Sequence, residues 1–313
     1  MSLRVVFLGN HTVGVRTLTA IRQQALLVGV VAHPDDPEDG VRYESVHAEA
    51  VRLGVPAIRS TGKAPALKEF IRACAPDLLW IADFRYLLPP DVVALASLGA
   101  VNLHPSLLPA YRGRASINWA ILRGEARLGL TAHIVEAGMD TGDIVGQSSY
   151  ELRADQDVGD ALNLLYPIYG HLTAEVLSAY IAGRVTRRPQ NQSEASEFPR
   201  RTPADGAVDW TRSAREVRDL IRAVARPYPG AFAPTLGGCV RLWRAGEILR
   251  FSGTSHPAPG EILEAAHDGH LRVACKDASL LIIESAWEGV VHARPSVGVI
   301  LGDGSPQNSL RGK

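Results

Sequence analysis

Two polar side chains interrupt an apolar run near the middle of the sequence. The run Ala100–His104 has the composition of a buried strand and carries Asn102 and His104 two positions apart. Because side chains alternate between the faces of a strand, this spacing puts the amide and the imidazole on one face. An imidazole can take a proton from a nucleophile, and an amide N–H can stabilise an oxyanion. The alternative is a buried Asn/His pair that only satisfies its own hydrogen bonds.

A second polar segment, Gly138–Asp143, follows a later apolar run and contains Asp140. A carboxylate paired with an imidazole is a recurring general-base arrangement in enzymes. Both segments stand at the ends of predicted strands, where sites form in open α/β sheets. These positions favour an acid–base site of Asn102, His104 and Asp140 over the buried pair.

Sequence motifs for nucleotides and metals are missing. The first predicted turn, Gly9–Gly14, lacks the GxGxxG pattern, and no GxxxxGK[ST] run occurs. The three cysteines form no CxxC pair, so neither a cysteine zinc site nor a disulfide framework is expected. The remaining histidines show no ligand spacing, so no metal is predicted and most of them are expected to be structural or surface residues. They include His11, His33, His133 and His171.

The first part of the chain alternates short apolar runs with helical patterns. Strands are predicted at Leu3–Leu8, Leu26–Ala32, Val55–Ile58, Asp77–Phe84, Ala100–His104, Gly129–Val135 and Ile144–Tyr150. Helices are predicted at Thr12–Gln24, Tyr43–Leu53, Ala64–Ala75, Pro90–Ala96 and Asp157–Ala182. This alternation predicts right-handed βαβ units and a parallel sheet with helices on both faces.

The composition changes after the long predicted helix. Gly183–Pro203 is rich in Arg, Gln, Asn and Ser, which is typical of a linker. A helix at Ser213–Val224 follows, and then short strand-like runs separated by turn residues indicate a β-barrel or sandwich of roughly 90 residues. These runs are Val240–Ile248, Glu261–Ala266, Leu271–Lys276 and Leu280–Glu288. The polar tail Asp303–Lys313 is expected to fray.

The overall composition excludes several classes of protein. The 313 residues are 46% hydrophobic and 21% charged, as in ordinary globular proteins. The 33 basic and 33 acidic residues cancel, so the net charge gives no reason to expect nucleic acid or an acidic membrane as a partner. No apolar window is long enough for a membrane span, and the N-terminus lacks a signal-peptide pattern. We therefore expect a cytoplasmic location.

Three motifs taken together resemble the signature of the folate-dependent formyltransferases, which move a formyl group from 10-formyltetrahydrofolate to an amine. They are Asn102–Pro109, Tyr111–Gly113 and Asp140–Val145. Two later segments, Arg200–Trp210 and Arg222–Phe232, resemble the C-terminal part of the long members of this family. The resemblance therefore extends over nearly the whole chain, from Leu3 to about Gly302.

The resemblance implies an α/β fold. A Rossmann-like parallel-sheet formyltransferase domain would be followed by a small OB-like β-barrel domain at the C-terminus. The implied boundaries are residues 1–183 for the catalytic domain, 184–205 for a linker and 206–313 for the OB-like domain.

The same resemblance implies roles for individual residues. Asn102 would hydrogen-bond the formyl oxygen, and His104 would remove a proton from the attacking amine. Asp140 would hold and polarise His104, or act through a water. The co-substrate 10-formyltetrahydrofolate would bind without a metal. Its pocket would be lined by Tyr86, Leu87, Leu88, Arg114, Glu136, Ala137, Gly138, Met139 and Asp140. The alternatives are a strand-end core for Tyr86–Leu88 and a surface cation for Arg114.

The implied acceptor is a small amine, most simply a nucleotide-linked amino sugar. Methionyl-tRNA formyltransferases normally carry a basic loop after the second strand, whereas His33–Tyr43 here has four acids and one arginine, which would repel tRNA phosphates. Tyr43–Val46 and Arg200–Trp210 resemble the formyltransferases that act on UDP-4-amino-4-deoxy-L-arabinose. Methionyl-tRNA and a hydroxyornithine-type siderophore amine remain alternative acceptors. An inert folate-binding protein and a formate-releasing hydrolase are alternatives of a different class.

Arg201 is the predicted acceptor-binding cation. An arginine held in place can pair bidentately with the diphosphate of a nucleotide sugar. The alternative is a solvated charge run, Arg200-Arg201. Ser116 stands where relatives often have proline, which leaves the identity of the amine open. The sequence makes no prediction about oligomeric state.

Overall fold

A computed structural model describes residues 2–34, 43–62, 64–235, 237–252, 256–289 and 296–302. The predictions about the acidic loop and the polar tail rest on residues 35–42 and 303–313, which lie outside these ranges. The chain forms two compact units. Unit 1 comprises Met1–Ser116, Arg127–Glu151 and Leu162–Pro199, and unit 2 comprises Ile117–Ala126, Leu152–Ala161 and Arg200–Lys313. The domain and linker boundaries implied by the resemblance stay a prediction.

Unit 1 is built on a seven-stranded sheet. Its strands are β1 (Arg4–Gly9), β2 (Leu26–Ala32), β3 (Ala57–Arg59), β4 (Leu78–Ala82), β5 (Ala100–His104), β7 (Arg127–Ile134) and β8 (Ile144–Glu151). The order across the sheet is β3-β2-β1-β4-β5-β7-β8. A separate short pair, β6 (Arg112–Gly113) and β9 (Glu197–Phe198), runs parallel. The α-helices of both units together are α1 (His11–Gln24), α2 (Val46–Arg52), α3 (Pro65–Cys74), α4 (Pro90–Val93), α5 (Ser116–Leu122), α6 (Val158–Ile181) and α7 (Ala214–Ala223), and α7 belongs to unit 2.

The large sheet is mixed rather than wholly parallel. Strands β1 to β5 pair in parallel, as the sequence predicts, whereas β7 runs antiparallel to β5 and β8 antiparallel to β7. Residues 135–143 join β7 to β8. A parallel crossover needs roughly a dozen residues or more, so this shorter connection makes a hairpin. The alternation pattern alone could not separate these two geometries.

The burial of the central strands explains why they could be predicted from the sequence. Val5, Val6, Phe7 and Leu8 of β1 are fully buried, and every residue of β4 is buried. Parallel strands covered on both faces appear as continuous apolar runs. Beyond β1 the chain builds β2 and β3 on one side of it and β4 and β5 on the other, so the order reverses between β1 and β4. Ligands of open α/β sheets bind at this reversal, outside the carboxyl ends of the strands.

Unit 2 contains a five-stranded antiparallel sheet. Its order is β10 (Ala231–Thr235), β11 (Gly238–Arg250), β14 (Ala278–Gly289), β13 (Leu271–Ala274) and β12 (Ile262–Ala265). Strand β10 was not predicted. It contains Pro234 and lies at the edge of the sheet, where a proline is tolerated because one side of the strand needs no donor.

Helix α7 and the sheet share the core of unit 2. Val217 and Ile221 of α7 pack with Val240 and Leu242 of β11 in one buried cluster. The pairing of β11 with β14 shifts register between Leu242 and Ile248, and such bulges bend and coil long strands. Among the described strands no ladder joins the outer strands β10 and β12. The predicted fold class, an α/β domain followed by a small antiparallel β domain, is confirmed.

Within the described ranges, no helix combines the length and the apolarity that crossing a bilayer requires.

Candidate active site

The predicted trio comes together in unit 1. Asn102 and His104 lie on β5, and Asp140 lies in the connection from β7 to β8. The Nδ1 atom of His104 is 3.5 Å from Oδ2 of Asp140, and Nδ2 of Asn102 is 3.5 Å from Oδ1 of Asp140. The structure therefore brings one carboxylate against both the imidazole and the amide at the carboxyl end of β5.

The backbone of Asp140 is held in an unusual conformation. Its φ of 54° lies in the left-handed region, which costs a non-glycine residue on the order of 1–3 kcal/mol. The backbone N–H of Gly113 donates to Oδ2 of Asp140 over 2.9 Å. Gly142 is required nearby, because a Cβ atom there would lie 2.0 Å from the carbonyl oxygen of Ile134. The loop thus has little freedom to present the carboxylate elsewhere.

Gln190 supports this loop from outside the predicted site. Its Nε2 donates to the carbonyls of Asp140 (2.7 Å) and Gly142 (2.8 Å). Its Oε1 accepts from Nε and a terminal nitrogen of Arg112 at 3.1 and 2.6 Å. Gln190 is buried, so all of its hydrogen-bonding capacity is used inside the protein. Sequence reasoning assigned this residue to a linker, because a glutamine in a polar run carries no periodic signal.

The imidazole of His104 is buried and suited to act as a base. Its Nε2 lies 2.8 Å from the carbonyl oxygen of Tyr111, which can only accept, so Nε2 carries the hydrogen. Nδ1 is therefore the basic nitrogen of the neutral ring, and it is the atom beside Asp140. Burial lowers the pKa of His104, and the charge of Asp140 and the Tyr111 carbonyl only partly oppose it. The neutral, proton-accepting form is thereby favoured.

Asp140 is the negative charge of the site. Burial raises its pKa, but the neighbouring imidazoles of His133 and His104 and the hydrogen bond from the Gly113 N–H outweigh this and lower the pKa from 3.8 to about 2. The side chain is ionised at neutral pH, so it can stabilise an imidazolium that forms on His104.

His133 is a fourth member of the site, and it is a buried residue that sequence reasoning set aside as structural or surface. It lies on β7 directly opposite Asn102 in the β5–β7 ladder. Its Nε2 is 3.1 Å from Nδ2 of Asn102 and 3.3 Å from Oδ1 of Asp140. Alternation along β7 places it on one face with Thr131, opposite His104. This alternation could have predicted that His133 belongs to the site only if β7 were known to pair antiparallel with β5.

The predicted folate-binding residues fall in three neighbouring segments. Arg114 donates to the carbonyl of Arg85 over 3.1 Å, which ties its segment to the loop containing Tyr86, Leu87 and Leu88. Leu88 packs against the core of unit 1, whereas Leu87 is 70% exposed. The third segment is formed by Glu136, Ala137, Gly138 and Met139, all exposed, and ends at Asp140. The binding role of these residues stays a prediction.

Aromatic and imidazole rings gather at the carboxyl ends of β1, β2 and β4. His11 lies 4.0 Å from Tyr43 and 5.6 Å from His33 by ring centroids, and its Nδ1 is 2.6 Å from Oδ2 of Asp83. Phe84 and Tyr86 are 5.6 Å apart and both face His33. We call His11, His33, Tyr43, Phe84 and Tyr86 the ring cluster. Sequence reasoning did not assign a function to its histidines.

Arg201 lies in unit 2 against its neighbours there. Its guanidinium stands 4.8 Å from the ring centroid of Trp119 and donates to the carbonyl of Asp205 over 2.7 Å. The predicted contact with an acceptor phosphate stays a prediction. In the part of the chain that the structure describes, no cluster of three or more His, Cys, Asp or Glu side chains is arranged to hold a metal ion.

Comparison with known families identifies the chain. Residues 3–165 match the family described as "Formyl transferase", and residues 200–292 match "Formyl transferase, C-terminal domain". The chain belongs to the formyl transferase family. The predicted enzyme class, a transferase of formyl groups, is confirmed.

Several solved structures have the same fold as this formyl transferase over almost its whole length. A structure of WlaRD, a sugar 3N-formyl transferase with dTDP and 5-N-formyl-THF, has a TM-score of 0.69 at 14% identity and covers 93% of this chain and 99% of that one. An N-formyltransferase from Helicobacter canadensis, with folinic acid and dTDP-3-aminofucose, has a TM-score of 0.67 at 19% identity and covers 91% and 100%. HypX from Aquifex aeolicus has a TM-score of 0.61 at 20% identity, and the match covers 91% of this chain but 44% of HypX. At these identities the likeness is one of fold.

Proposed function

We propose that this formyl transferase moves a formyl group from 10-formyltetrahydrofolate to the primary amine of a nucleotide-linked amino sugar. The observation that carries the proposal is the buried His104, whose basic nitrogen lies 3.5 Å from the ionised Asp140 at the carboxyl end of β5. Two structures of the same fold hold a formyl- or folinic-acid form of tetrahydrofolate together with a dTDP compound. Those ligands support the choice of both substrates.

In the proposed reaction Asn102 and His104 act in successive steps. Asn102 donates a hydrogen bond to the formyl oxygen as the amine nitrogen bonds to the formyl carbon and the oxygen becomes negative. Nδ1 of His104 takes the proton that the amine loses. The bond from the formyl carbon to the folate nitrogen then breaks, and that nitrogen leaves with a proton returned through the imidazolium. Acid–base catalysis of this kind contributes about 10²–10⁴-fold, and one oxyanion donor about 10²–10³-fold.

The folate is proposed to lie between the three predicted segments. The backbone of Tyr86–Leu88 would offer amide and carbonyl groups to the edge of the pterin, and the segment Glu136–Asp140 would close the other side. Exposed apolar side chains support a ligand here: Leu87 is 70% exposed and Met139 is 36% exposed. The segment of Arg114 contacts both sides, because Arg114 donates to the carbonyl of Arg85 and the N–H of Gly113 donates to Asp140.

The acceptor is proposed to extend from His104 toward the ring cluster. One strand, β4, separates β5 from β1, so the ends of these two strands lie about 10 Å apart. A simple amine would not bridge that distance, whereas an amino sugar with a nucleotide attached would. Planar rings at the far end suit stacking against a base, and edge or offset contacts of this kind contribute about 0.5–1.5 kcal/mol each.

An acceptor panel tests the proposal. The enzyme is incubated with 10-formyltetrahydrofolate and, in turn, with dTDP- and UDP-amino sugars, charged initiator tRNA, N-hydroxyornithine or no acceptor, and products are read by mass spectrometry. We expect a formamide on a nucleotide sugar. Formyl-methionyl-tRNA or formyl-hydroxyornithine made at a higher rate would replace the proposed acceptor. Formate released equally fast in the blank would indicate a hydrolase, and folate binding with no turnover of any kind would indicate an inert protein.

A further inference from the structure

His133 stands between two members of the trio. It is buried on β7, 3.1 Å from the amide nitrogen of Asn102 and 3.3 Å from Oδ1 of Asp140. Its other ring nitrogen, Nδ1, lies 2.9 Å from the carbonyl oxygen of Ile134. Each polar atom of the ring therefore has a defined partner, and the chemistry of the partners decides where the hydrogens are.

The tautomer of His133 follows from the Ile134 carbonyl. That oxygen can only accept, so Nδ1 of His133 must carry a hydrogen. In the neutral ring Nε2 then has a lone pair and no hydrogen, and it can only accept from Asn102. His104 has the opposite arrangement, because its Nε2 donates to Tyr111. The two imidazoles of the site are thus different tautomers.

The orientation of the Asn102 amide follows from the tautomer of His133. With NH₂ toward His133, the amide donates over 3.1 Å to Nε2 and meets Asp140 at 3.5 Å. With the amide turned over, its oxygen would face the lone pair of Nε2 and the carboxylate, and both contacts would be repulsive. The 3.5 Å contact is long for a hydrogen bond, so it leaves the second N–H available for a stronger acceptor.

We propose that His133 is a positioning residue, which in its neutral form accepts one N–H of the Asn102 amide and so leaves the second N–H available to the reacting formyl oxygen. This rests on the proposed function, in which Asn102 is the oxyanion donor. Protonation of His133 would reverse the arrangement. Nε2–H would then donate to Asp140, as the 3.3 Å separation allows, and could no longer accept from Asn102. The charged and titratable groups that face His133 in this site are Asp140 and His104.

The tautomers can be measured without any substrate. Long-range ¹H–¹⁵N correlation spectra of the ¹⁵N-labelled full chain distinguish a protonated from an unprotonated ring nitrogen, and the variant His133→Gln identifies the His133 signals by their loss. We expect the Nδ1–H tautomer for His133 near neutral pH. An Nε2–H tautomer, or a charged ring at that pH, would overturn the proposal whatever the activity of the enzyme.

Kinetics with the acceptor found in the panel supply the second test. His133→Met removes the acceptor atom, and we expect kcat to fall about 10- to 100-fold with little change in either KM, because an oxyanion donor is lost only in the transition state. His133→Gln keeps an oxygen that can accept, so part of kcat should return. The exposed His171→Gln is the control and should leave activity unchanged.

A double-mutant cycle separates positioning from a merely structural role. If His133 acts through Asn102, the double variant Asn102→Ala/His133→Met should be no slower than Asn102→Ala alone. Additive losses in the double variant would sink the inference. Full activity in Asn102→Ala would instead refute the proposed role of the trio, which keeps the two failures apart.

Discussion

Gln190 Nε2 donates to the backbone carbonyl of Asp140 over 2.7 Å, and the two residues are fifty positions apart in the chain. The same nitrogen also holds the carbonyl of Gly142. Asp140 has a left-handed backbone, so its carboxylate is aimed by a conformation that the loop would not keep unaided. A residue that touches none of the reacting atoms in the proposed mechanism therefore decides where the charge of the site lies.

The first prediction concerns that support. Gln190→Glu keeps the shape of the side chain but loses both N–H donors to the loop, and we expect kcat to fall about tenfold or more, with an unfolding free energy lower by about 1–3 kcal/mol. Steady-state kinetics and urea unfolding measure the two effects. Gln192→Ala is the matched control, since Gln192 also accepts from Arg112 but makes no bond to the Asp140 loop. Equal losses in both variants would mean that Arg112 alone matters.

The second prediction concerns the pH dependence of activity. Burial lowers the pKa of His104, while Asp140 raises it. The acid limb of kcat should lie below the ordinary histidine pKa of about 6.5. Asp140→Asn removes the opposing charge, so the limb should move to lower pH while kcat falls at every pH. A limb that moves upward in Asp140→Asn would show that another group controls it.

The third prediction concerns stability in acid. The pKa of Asp140 is lowered from 3.8 to about 2 in the folded protein, so the unfolded state binds the proton more readily. This contributes about 2 kcal/mol of stability that is fully present above the unfolded pKa and is lost as pH falls toward the folded pKa. Denaturant unfolding of the wild type and Asp140→Asn from pH 5 to pH 2 should show their difference shrinking in that window. A constant difference would contradict the assignment.

The fourth prediction concerns the stability of unit 2. Asp219 and Arg222 on α7 are 2% and 6% exposed and form an ion pair of 2.8 Å. Arg222 also donates to the carbonyls of Gln156 and Arg153. Asp219→Ala leaves a buried guanidinium without its charge partner and should lower the unfolding free energy by about 3–5 kcal/mol. The exposed ion pair of Arg212 with Asp209 provides the comparison: Arg212→Ala should cost less than about 1 kcal/mol.

The fifth prediction concerns Arg201 as the proposed phosphate-binding cation. Losing one charge-assisted contact should raise KM for a nucleotide-sugar acceptor by roughly 10- to 100-fold in Arg201→Ala and leave folate affinity nearly unchanged. Its neighbour Arg200→Ala is the control and should change neither. Because Arg201 also stacks on Trp119, thermal unfolding of both variants must be compared. No change for the acceptor would favour an acceptor without a phosphate, such as the hydroxyornithine-type amine.

Most of the fold could be predicted from the sequence because its main helices and strands have characteristic local patterns of apolar residues. Strands β1 and β4 are continuous apolar runs since they are covered on both faces, and α1 and α6 end within a residue of their predicted limits. Strand β10 was missed because its proline argues locally against a strand, and only its edge position makes the proline harmless. The antiparallel direction of β7 and β8 likewise depends on pairing, which periodicity does not report.

The candidate site also has features that the sequence predicts and features that depend on the tertiary structure. The residue types and spacing of Asn102, His104 and Asp140 were sufficient to nominate a formyl-transfer site, because strand alternation and family motifs are properties of the linear sequence. The contacts of His133 and Gln190 depend on tertiary structure alone, since each reaches a residue far away in the chain: Asn102 lies 31 positions from His133, and Asp140 lies 50 positions from Gln190. Hydrogen-bond direction, imidazole tautomer and a left-handed backbone arise only when the partners are brought together. No pattern of residues along the chain predicts these three features, because each feature depends on the partner atoms around the residue.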